Sequence, residues 1–186
     1  MVNSPGEHES EWVESVRGGT LPPAAGAWSF AEGQRIWLLT QGRPWQTLAI
    51  VPVDDGVSTY EVASRIAALG HEQGECIGLA DLRDVQLNRV AAFLEVTRLL
   101  VSRGRRVVCA MSSIKDNLAT IPLARASDGV ILCLSLGKTL IASTEETIAE
   151  VGQERLVGSM LLRTSPAHTH APTRPVGPKL LEEARA

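Results

Sequence analysis

Short apolar runs alternate with segments of helical period along residues 27–163, and this alternation constrains the fold more than any other feature. Short runs rich in Val and Ile are typical of strands that are buried on both faces. Strands that alternate with helices favour right-handed crossovers and a mainly parallel sheet covered by helices. We therefore predict a single-domain α/β fold. The predicted strands are Leu48–Val53, Cys76–Ala80, Arg106–Met111, Gly129–Leu134 and Leu156–Leu162, and the predicted helices are Phe30–Thr40, Tyr60–Leu69, Leu87–Ser102, Asn117–Ala126 and Thr144–Val151.

The two ends of the chain differ in composition from the part between them. Residues 1–26 are rich in Gly, Pro, Ser and Glu, and residues 164–178 contain four prolines, which rule out a continuous helix there. We predict a flexible N-terminal segment (1–26), a central α/β domain (27–163) and a Pro-rich flexible tail (164–186). No apolar run approaches the ~20 residues of a membrane-spanning helix, and the N-terminus lacks the pattern of a signal peptide. These features predict a cytoplasmic protein that reaches a membrane only through a partner.

Charge and cysteine content exclude several classes of function. The formal net charge is -3, so no basic field indicates binding to nucleic acid or to an anionic membrane. Cys76, Cys109 and Cys133 each fall in an apolar strand-like run and lack the spacing of metal ligands. We predict reduced and buried thiols, with no disulfide and no metal site.

The turn after the first predicted strand has the layout of a nucleotide-binding phosphate loop without its lysine. Such a loop cradles anionic oxygens with backbone N–H groups at a helix start, while a lysine reaches the terminal phosphates. Val57 takes the place of that lysine, and Asp54 and Asp55 add two negative charges that repel a polyanion. Gly56 permits the tight turn, and Ser58 is either a magnesium-side hydroxyl or a helix cap. We predict a fold built for nucleotide that no longer hydrolyses it.

Two further polar turns follow predicted strands, at the sheet edge where open α/β folds bind ligands. Asp81 and Arg83 follow the second strand and form either a solvated Asp–Arg turn or part of an anion site. Lys138 lies in a Gly-Lys-Thr sequence after the fourth strand, but Leu132 occupies the position where a phosphate loop has its first glycine. We interpret Lys138 as a loop residue.

Four segments match, in order and spacing, the motifs of one protein family. They are Gly56-Val57-Ser58-Thr59 (for Gly-Lys-Ser-Thr), Leu79-Ala80-Asp81-Leu82-Arg83 (for Asp-x-Asp-x-Arg), Val107–Ser113 (for the strand before Asp-Thr-Pro-Pro) and Ala126–Leu132 with Gly137-Lys138-Thr139 (for the Asp-Gly-Val strand and the Gly-Lys-Thr loop). Together they resemble the bacterial tyrosine kinases and their capsular-polysaccharide relatives, a branch of the ParA/MinD-type P-loop ATPases. The resemblance covers about residues 30–163 and implies a P-loop ATPase-like α/β domain.

The chain departs from this family at its charged positions. Lysine becomes Val57, the first aspartate of the second motif becomes Leu79, and the aspartate after the third strand becomes Ala110. In phosphoryl transfer, lysine and Mg²⁺ neutralise developing charge and acidic side chains hold the metal. The joint loss predicts a protein without catalytic residues, metal or required cofactor. What remains is a degenerate phosphate site, at which weak ATP or ADP binding stays open. Its residues are Gly56, Ser58, Thr59, Asp81 and Arg83.

The resemblance also concerns the first predicted helix. The family's oligomerisation helix reads Glu-x-x-Arg-x-x-Arg, and here Glu32 and Arg35 keep two positions while Leu38 replaces the last. Trp37 lies close to Arg35, and an aromatic beside an arginine is a frequent composition of an interface anchor. We predict that these four residues form a dimer or partner contact, and an ordinary amphipathic helix is the alternative. The family's kinases phosphorylate a tyrosine-rich tail, whereas the single tyrosine here is Tyr60 in a helix.

Two functions fit these features. In the first, the chain is a catalytically inactive ATPase-like scaffold or regulator in surface-polysaccharide or exopolysaccharide synthesis and export. The resemblance then implies a protein partner, such as the cytoplasmic part of a membrane polysaccharide co-polymerase. In the second, the chain is a nucleotide-binding switch related to the ATPases that position cell poles or septa. A small-molecule enzyme is disfavoured because no nucleophile and base stand at credible spacing.

Overall fold

Five strands and five α-helices alternate along residues 29–163, the part of the chain that the computed structural model describes. The predictions for residues 1–26 and 164–186 lie outside this range. A 3₁₀ turn, Leu87–Arg89, precedes the third helix, and another, Gln153–Arg155, precedes the last strand. The strands are β1 (Thr47–Pro52), β2 (Ile77–Asp81), β3 (Arg106–Ala110), β4 (Gly129–Ser135) and β5 (Leu156–Leu162), and the helices are α1 (Phe30–Thr40), α2 (Thr59–Glu72), α3 (Val90–Ser102), α4 (Thr120–Ala126) and α5 (Ile141–Val151).

All five strands are parallel, in the order β2-β3-β1-β4-β5, so β1 lies at the centre of the sheet. Ile50 of β1 is in register with Ala110 of β3, and Ala110 is in turn in register with Asp81 of β2. The carboxyl ends of these three strands therefore meet at one edge of the sheet. The predicted fold class, a mainly parallel α/β sheet flanked by helices, is confirmed, and the topology is consistent with a P-loop-like fold.

Helices cover both faces of the sheet, and each face has its own apolar cluster. Alternate residues of a strand point to opposite faces. In β1, Ala49 and Val51 enter the first cluster, whereas Leu48 and Ile50 enter the second. The first cluster packs against α3, α4 and α5, and the second packs against α1 and α2. The central strands β1, β3 and β4 are thus buried on both faces, as their continuous apolar runs predict, whereas the edge strand β5 is mostly exposed or partly buried.

The strands begin and end within one residue of the predicted positions, whereas four of the five helices differ by three residues at one end. The second helix ends at Glu72 instead of Leu69, and the third begins at Val90, after the 3₁₀ turn Leu87–Arg89. The fourth helix begins at Thr120 instead of Asn117, because the Asn117 side chain accepts a hydrogen bond from the Ala119 N–H (3.0 Å). Such a local side-chain contact competes with helical hydrogen bonding. The fifth helix begins at Ile141, three residues before the predicted start.

The three cysteines are free thiols, as predicted, but only two of them are buried. Cys109 in β3 and Cys133 in β4 lie inside the sheet, and burial raises the pKa of each thiol to about 12. Cys76 directly precedes β2 and is exposed, so the prediction of a buried strand position is wrong for this residue. Because β2 begins one residue later than predicted, Cys76 is a surface thiol and not a core thiol.

Asp128 ties β1 to β4 at the amino edge of the sheet. Its Oδ2 accepts hydrogen bonds from the Gln46 N–H (2.9 Å), the Thr47 N–H (2.8 Å) and the Thr47 hydroxyl (2.9 Å). Partial burial acts to raise the pKa of Asp128, but these hydrogen bonds and the charge of Arg155 outweigh it and lower the pKa. The aspartate of the Asp-Gly-Val segment therefore has a structural role, at the edge opposite the candidate site.

Candidate functional site

The loop between β1 and α2 lies at the carboxyl edge of the sheet, where ligands bind in open α/β folds. Gly56 has a φ of 85°, a left-handed conformation that suits glycine. Ser58 is the N-cap of α2, and its hydroxyl accepts a hydrogen bond from the Glu61 N–H (3.4 Å). Thr59 is buried, and its hydroxyl donates to the Met111 carbonyl, 2.7 Å away. Both hydroxyls of this loop thus form hydrogen bonds within the protein, and Ser58 has the geometry of a helix cap.

The three positions at which the chain departs from the charged residues of the resembled family share one apolar environment. Ala110 is fully buried in the second cluster. Val57 and Leu79 are partly buried, and both side chains pack against the same cluster, as does Tyr60 in the first turn of α2. A charged side chain at any of these positions would lie beside apolar groups, which costs free energy unless it finds partners. The positions that carry catalytic charge in the resembled family are therefore occupied here by side chains that belong to the core or line it.

Asp81 and Arg83 pair with each other at the end of β2. The Arg83 guanidinium donates two hydrogen bonds to the Asp81 carboxylate, from Nε to Oδ1 at 2.8 Å and from Nη2 to Oδ2 at 2.6 Å. The Arg83 N–H adds a third to Oδ1, at 3.3 Å. The guanidinium also lies 5.3 Å from the centre of the Tyr60 ring, which links this turn to α2. The two side chains thus form a bidentate ion pair, in which each charge has a partner within the turn.

Acidic groups crowd the loops that follow β1 and β3. The Ser113 hydroxyl donates to the Asp116 carboxylate at 2.8 Å and lies 3.3 Å from Oδ1 of Asp55. Contact between the two carboxyl groups raises the pKa of Asp55 and lowers the pKa of Asp116. One carboxylate oxygen of Asp54 is buried without a hydrogen-bond partner among the described residues. Negative charge therefore lies where a phosphate group would approach the loop.

Two lysines lie in loops at this edge, but neither lies in the loop after β1, where a phosphate loop has its lysine. Lys115 donates from Nζ to the Ser143 hydroxyl (2.9 Å) near the start of α5. Lys138 is exposed in the turn after β4, which is closed by a hydrogen bond from the Ser135 N–H to the Thr139 hydroxyl (2.7 Å). Within residues 29–163, no three His, Cys, Asp or Glu side chains are grouped so that they could hold a metal ion.

Polar residues after β3, whose role the sequence patterns did not indicate, join the loops at this edge of the sheet. Asn117 donates from Nδ2 to the carbonyls of Arg83 (3.1 Å) and Val85 (2.9 Å), and the Ser112 hydroxyl donates to the Arg83 carbonyl (2.6 Å). These bonds join the loop after β3 to the loop after β2. Asp116 lies in the same loop after β3 and was likewise not predicted as a site residue. The sequence signal that could have identified this stretch is a polar run directly after a strand. The same signal identified the turns after the first two strands.

The four predicted interface residues of α1 differ in what they contact. Glu32 closes a capping box, in which the Ser29 N–H donates to its carboxylate (2.8 Å) and its own N–H lies 3.3 Å from the Ser29 hydroxyl. Trp37 is partly buried and packs against the second cluster. Arg35 and Leu38 are exposed, Leu38 to 68%. These last two side chains are therefore the ones best placed to contact another molecule.

No family model matches the chain, and no curated protein is similar enough to be matched to it. The resemblance to the P-loop ATPases therefore rests on the motifs quoted above. Within residues 29–163, no helix combines the length and the apolar character needed to cross a membrane.

Proposed function

We propose that this chain is a catalytically inactive P-loop ATPase-like protein that acts as a scaffold or regulator through protein contacts. The observation that carries the proposal is the shared apolar environment of Val57, Leu79 and Ala110. A position that has merely lost its charge can still line an open cleft, but these three side chains pack against one cluster. A nucleotide phosphate at this edge would meet apolar side chains where the family provides a lysine and metal-binding carboxylates.

Electrostatics support the same proposal. Phosphate binding and transfer depend on positive charge placed in advance at the phosphate oxygens. The loop after β1 instead carries Asp54 and Asp55, and Asp116 adjoins Asp55. Arg83, the cation retained from the second motif, is paired with Asp81. These contacts disfavour the alternative function, a nucleotide-binding switch.

The resemblance supplies the proposed setting and partner. We place the protein in exopolysaccharide or surface-polysaccharide synthesis and export. Its partner on this proposal is the cytoplasmic part of a membrane polysaccharide co-polymerase, or another component of the export system, and it also forms a homodimer. It then works in the cytoplasm and reaches the membrane through that partner. The contact is made by α1, because Arg35 and Leu38 are exposed on neighbouring turns of this helix.

Replacing Leu38 with serine together with Arg35→Glu is expected to abolish both self-association and partner binding. Both side chains are exposed, so their loss leaves the core intact, whereas a contact that buries them loses apolar area and gains a reversed charge. Light scattering should give about 40 kDa for the wild type, twice the chain mass of 19.9 kDa, and the mass of one chain for the variant. Capture by an immobilised co-polymerase cytoplasmic segment should be lost in parallel.

A matched control carries the same two changes elsewhere. Leu99→Ser with Arg89→Glu alters an exposed leucine on α3 and an exposed arginine in the turn before it. This control is expected to keep the wild-type mass and the wild-type capture. If the α1 variant and the wild type have equal mass and are captured equally, α1 is not the interface.

A further inference from the structure

Four exposed apolar side chains lie where β4 ends beside the edge strand β5. We call them the corner patch, and they are Leu136, Leu140, Ile141 and Leu161, with exposed fractions of 48, 67, 79 and 63%. They are half of the eight large apolar side chains that are exposed in the described part of the chain. Exposed apolar surface is thus concentrated at this corner of the domain.

Hydrogen bonds and strand register bring these residues together. The Leu136 N–H donates to the Leu162 carbonyl (2.8 Å), so the loop after β4 begins beside the last residue of β5. Leu161 is in register with Leu134, which packs against the first cluster, so Leu161 lies on the sheet face that α5 covers. Ile141 is the first residue of α5, and at most about 17 Å of chain separates it from Leu136.

The composition of the corner patch indicates what it can bind. Grouped apolar side chains on a surface mark sites of interaction. Lys138 is exposed within the same loop, between Leu136 and Leu140. A segment that combines leucines with acidic residues would complement both the apolar side chains and this positive charge.

We propose that the corner patch binds residues 179–185 of the same chain, whose sequence is Lys-Leu-Leu-Glu-Glu-Ala-Arg. Leu180 and Leu181 supply the apolar contact. Glu182 and Glu183 supply negative charge for Lys138. The inference concerns an intramolecular contact and stands apart from the loss of nucleotide chemistry.

The path of the chain favours this occupant. Strand β5 ends at Leu162, whose carbonyl is bonded to Leu136, so the chain continues toward residues 179–185 from a point at the patch itself. The connecting residues 164–178 span about 50 Å when fully extended, several times the length of the loop that forms the patch. A tether of this kind provides an effective concentration on the order of millimolar. A contact too weak to hold two separate molecules together is therefore sufficient for docking within one chain.

Paramagnetic broadening from a nitroxide at position 184 tests this docking in the full-length chain. The label is attached through Ala184→Cys in a Cys76→Ser background, because Cys76 is the exposed thiol. Burial raises the pKa of Cys109 and Cys133 to about 12, so these thiols stay protonated and unreactive. The amide signals of residues 136–141 are expected to lose most of their intensity, while those at the amino edge of the sheet keep theirs.

Two variants of the tail make the result specific. Leu180→Ser with Leu181→Ser should restore the signals of residues 136–141, whereas Val176→Ser, an apolar change outside the segment, should leave the broadening unchanged. Broadening that is uniform, that centres on another surface or that survives the double leucine change would overturn the proposal. Equal broadening in a mixture of isotope-labelled chains without nitroxide and nitroxide-labelled chains without isotope would also overturn it, because the segment would then come from a second copy.

Discussion

Replacing Ala110 with aspartate is expected to destabilise the protein by about 4 kcal/mol or more. Ala110 is fully buried at the end of β3, in register with Ile50 and Asp81 of the two neighbouring strands. An aspartate there either buries a charge in the second cluster or stays protonated at neutral pH, and both states cost free energy. The loss is large compared with the total stability of about 5–15 kcal/mol that is typical of a domain.

Urea unfolding measures this effect, with Ala92→Asp as the matched control. Ala92 is exposed on α3, so the same chemical change there is expected to shift the free energy of unfolding by no more than about 0.5 kcal/mol. Stabilisation of the Ala110→Asp variant by Mg²⁺ and ATP is not expected, since Val57 and Leu79 remain apolar. A loss below about 1 kcal/mol would show that position 110 accommodates charge, which contradicts the proposal that apolar packing at this position excludes a metal-binding carboxylate.

Replacing Asn117 with alanine is expected to lower the free energy of unfolding by about 2–3 kcal/mol. The change removes two hydrogen bonds donated to the carbonyls of Arg83 and Val85, and one accepted from the Ala119 N–H. The Val85 carbonyl and the Ala119 N–H then lose their bonds to this side chain, whereas the Arg83 carbonyl keeps the hydrogen bond from the Ser112 hydroxyl. The loop after β2 should also exchange its amide hydrogens faster, because Asn117 fastens it to the loop after β3.

Asn88→Ala is the matched control for this prediction. Asn88 is exposed in the 3₁₀ turn before α3, so its loss should change the free energy of unfolding by less than about 0.5 kcal/mol. Equal unfolding free energies for the Asn117 and Asn88 variants would mean that the loops after β2 and β3 are held by other contacts.

The order and type of the elements could be predicted because buried parallel strands and amphipathic helices leave strong local signals. The limits of the helices could not be predicted as well, since they depend on side-chain contacts. Asn117 bonds to the Ala119 N–H and so delays the start of α4. Helix α5 begins with Ile141, an exposed apolar residue that does not fit the pattern of buried positions. The prediction that Cys76 is buried was wrong for a related reason, because its exposure depends on where β2 begins.

The candidate site could be predicted only in its parts. The absence of charge at Val57, Leu79 and Ala110 is visible in the motifs themselves. Their common environment is not a local property, because the three positions are far apart in the chain and meet through the order of the strands. The two interpretations of the turn at Asp81 and Arg83 share the same sequence, and the bidentate contact between these side chains becomes visible only in the structure. The negative charge of Asp116 belongs to the candidate site because Asp116 contacts Asp55, which lies in another loop.

Calorimetric titration of the full-length protein with ATP and with ADP, in the presence of Mg²⁺, tests the central claim most directly. The claim is the proposed one, that apolar side chains at Val57, Leu79 and Ala110 occupy the positions where the resembled family has its charged groups. We expect no heat of binding up to millimolar nucleotide, because the loop after β1 has no lysine and carries Asp54 and Asp55. Binding with a micromolar dissociation constant would contradict the account and would favour a nucleotide-dependent switch.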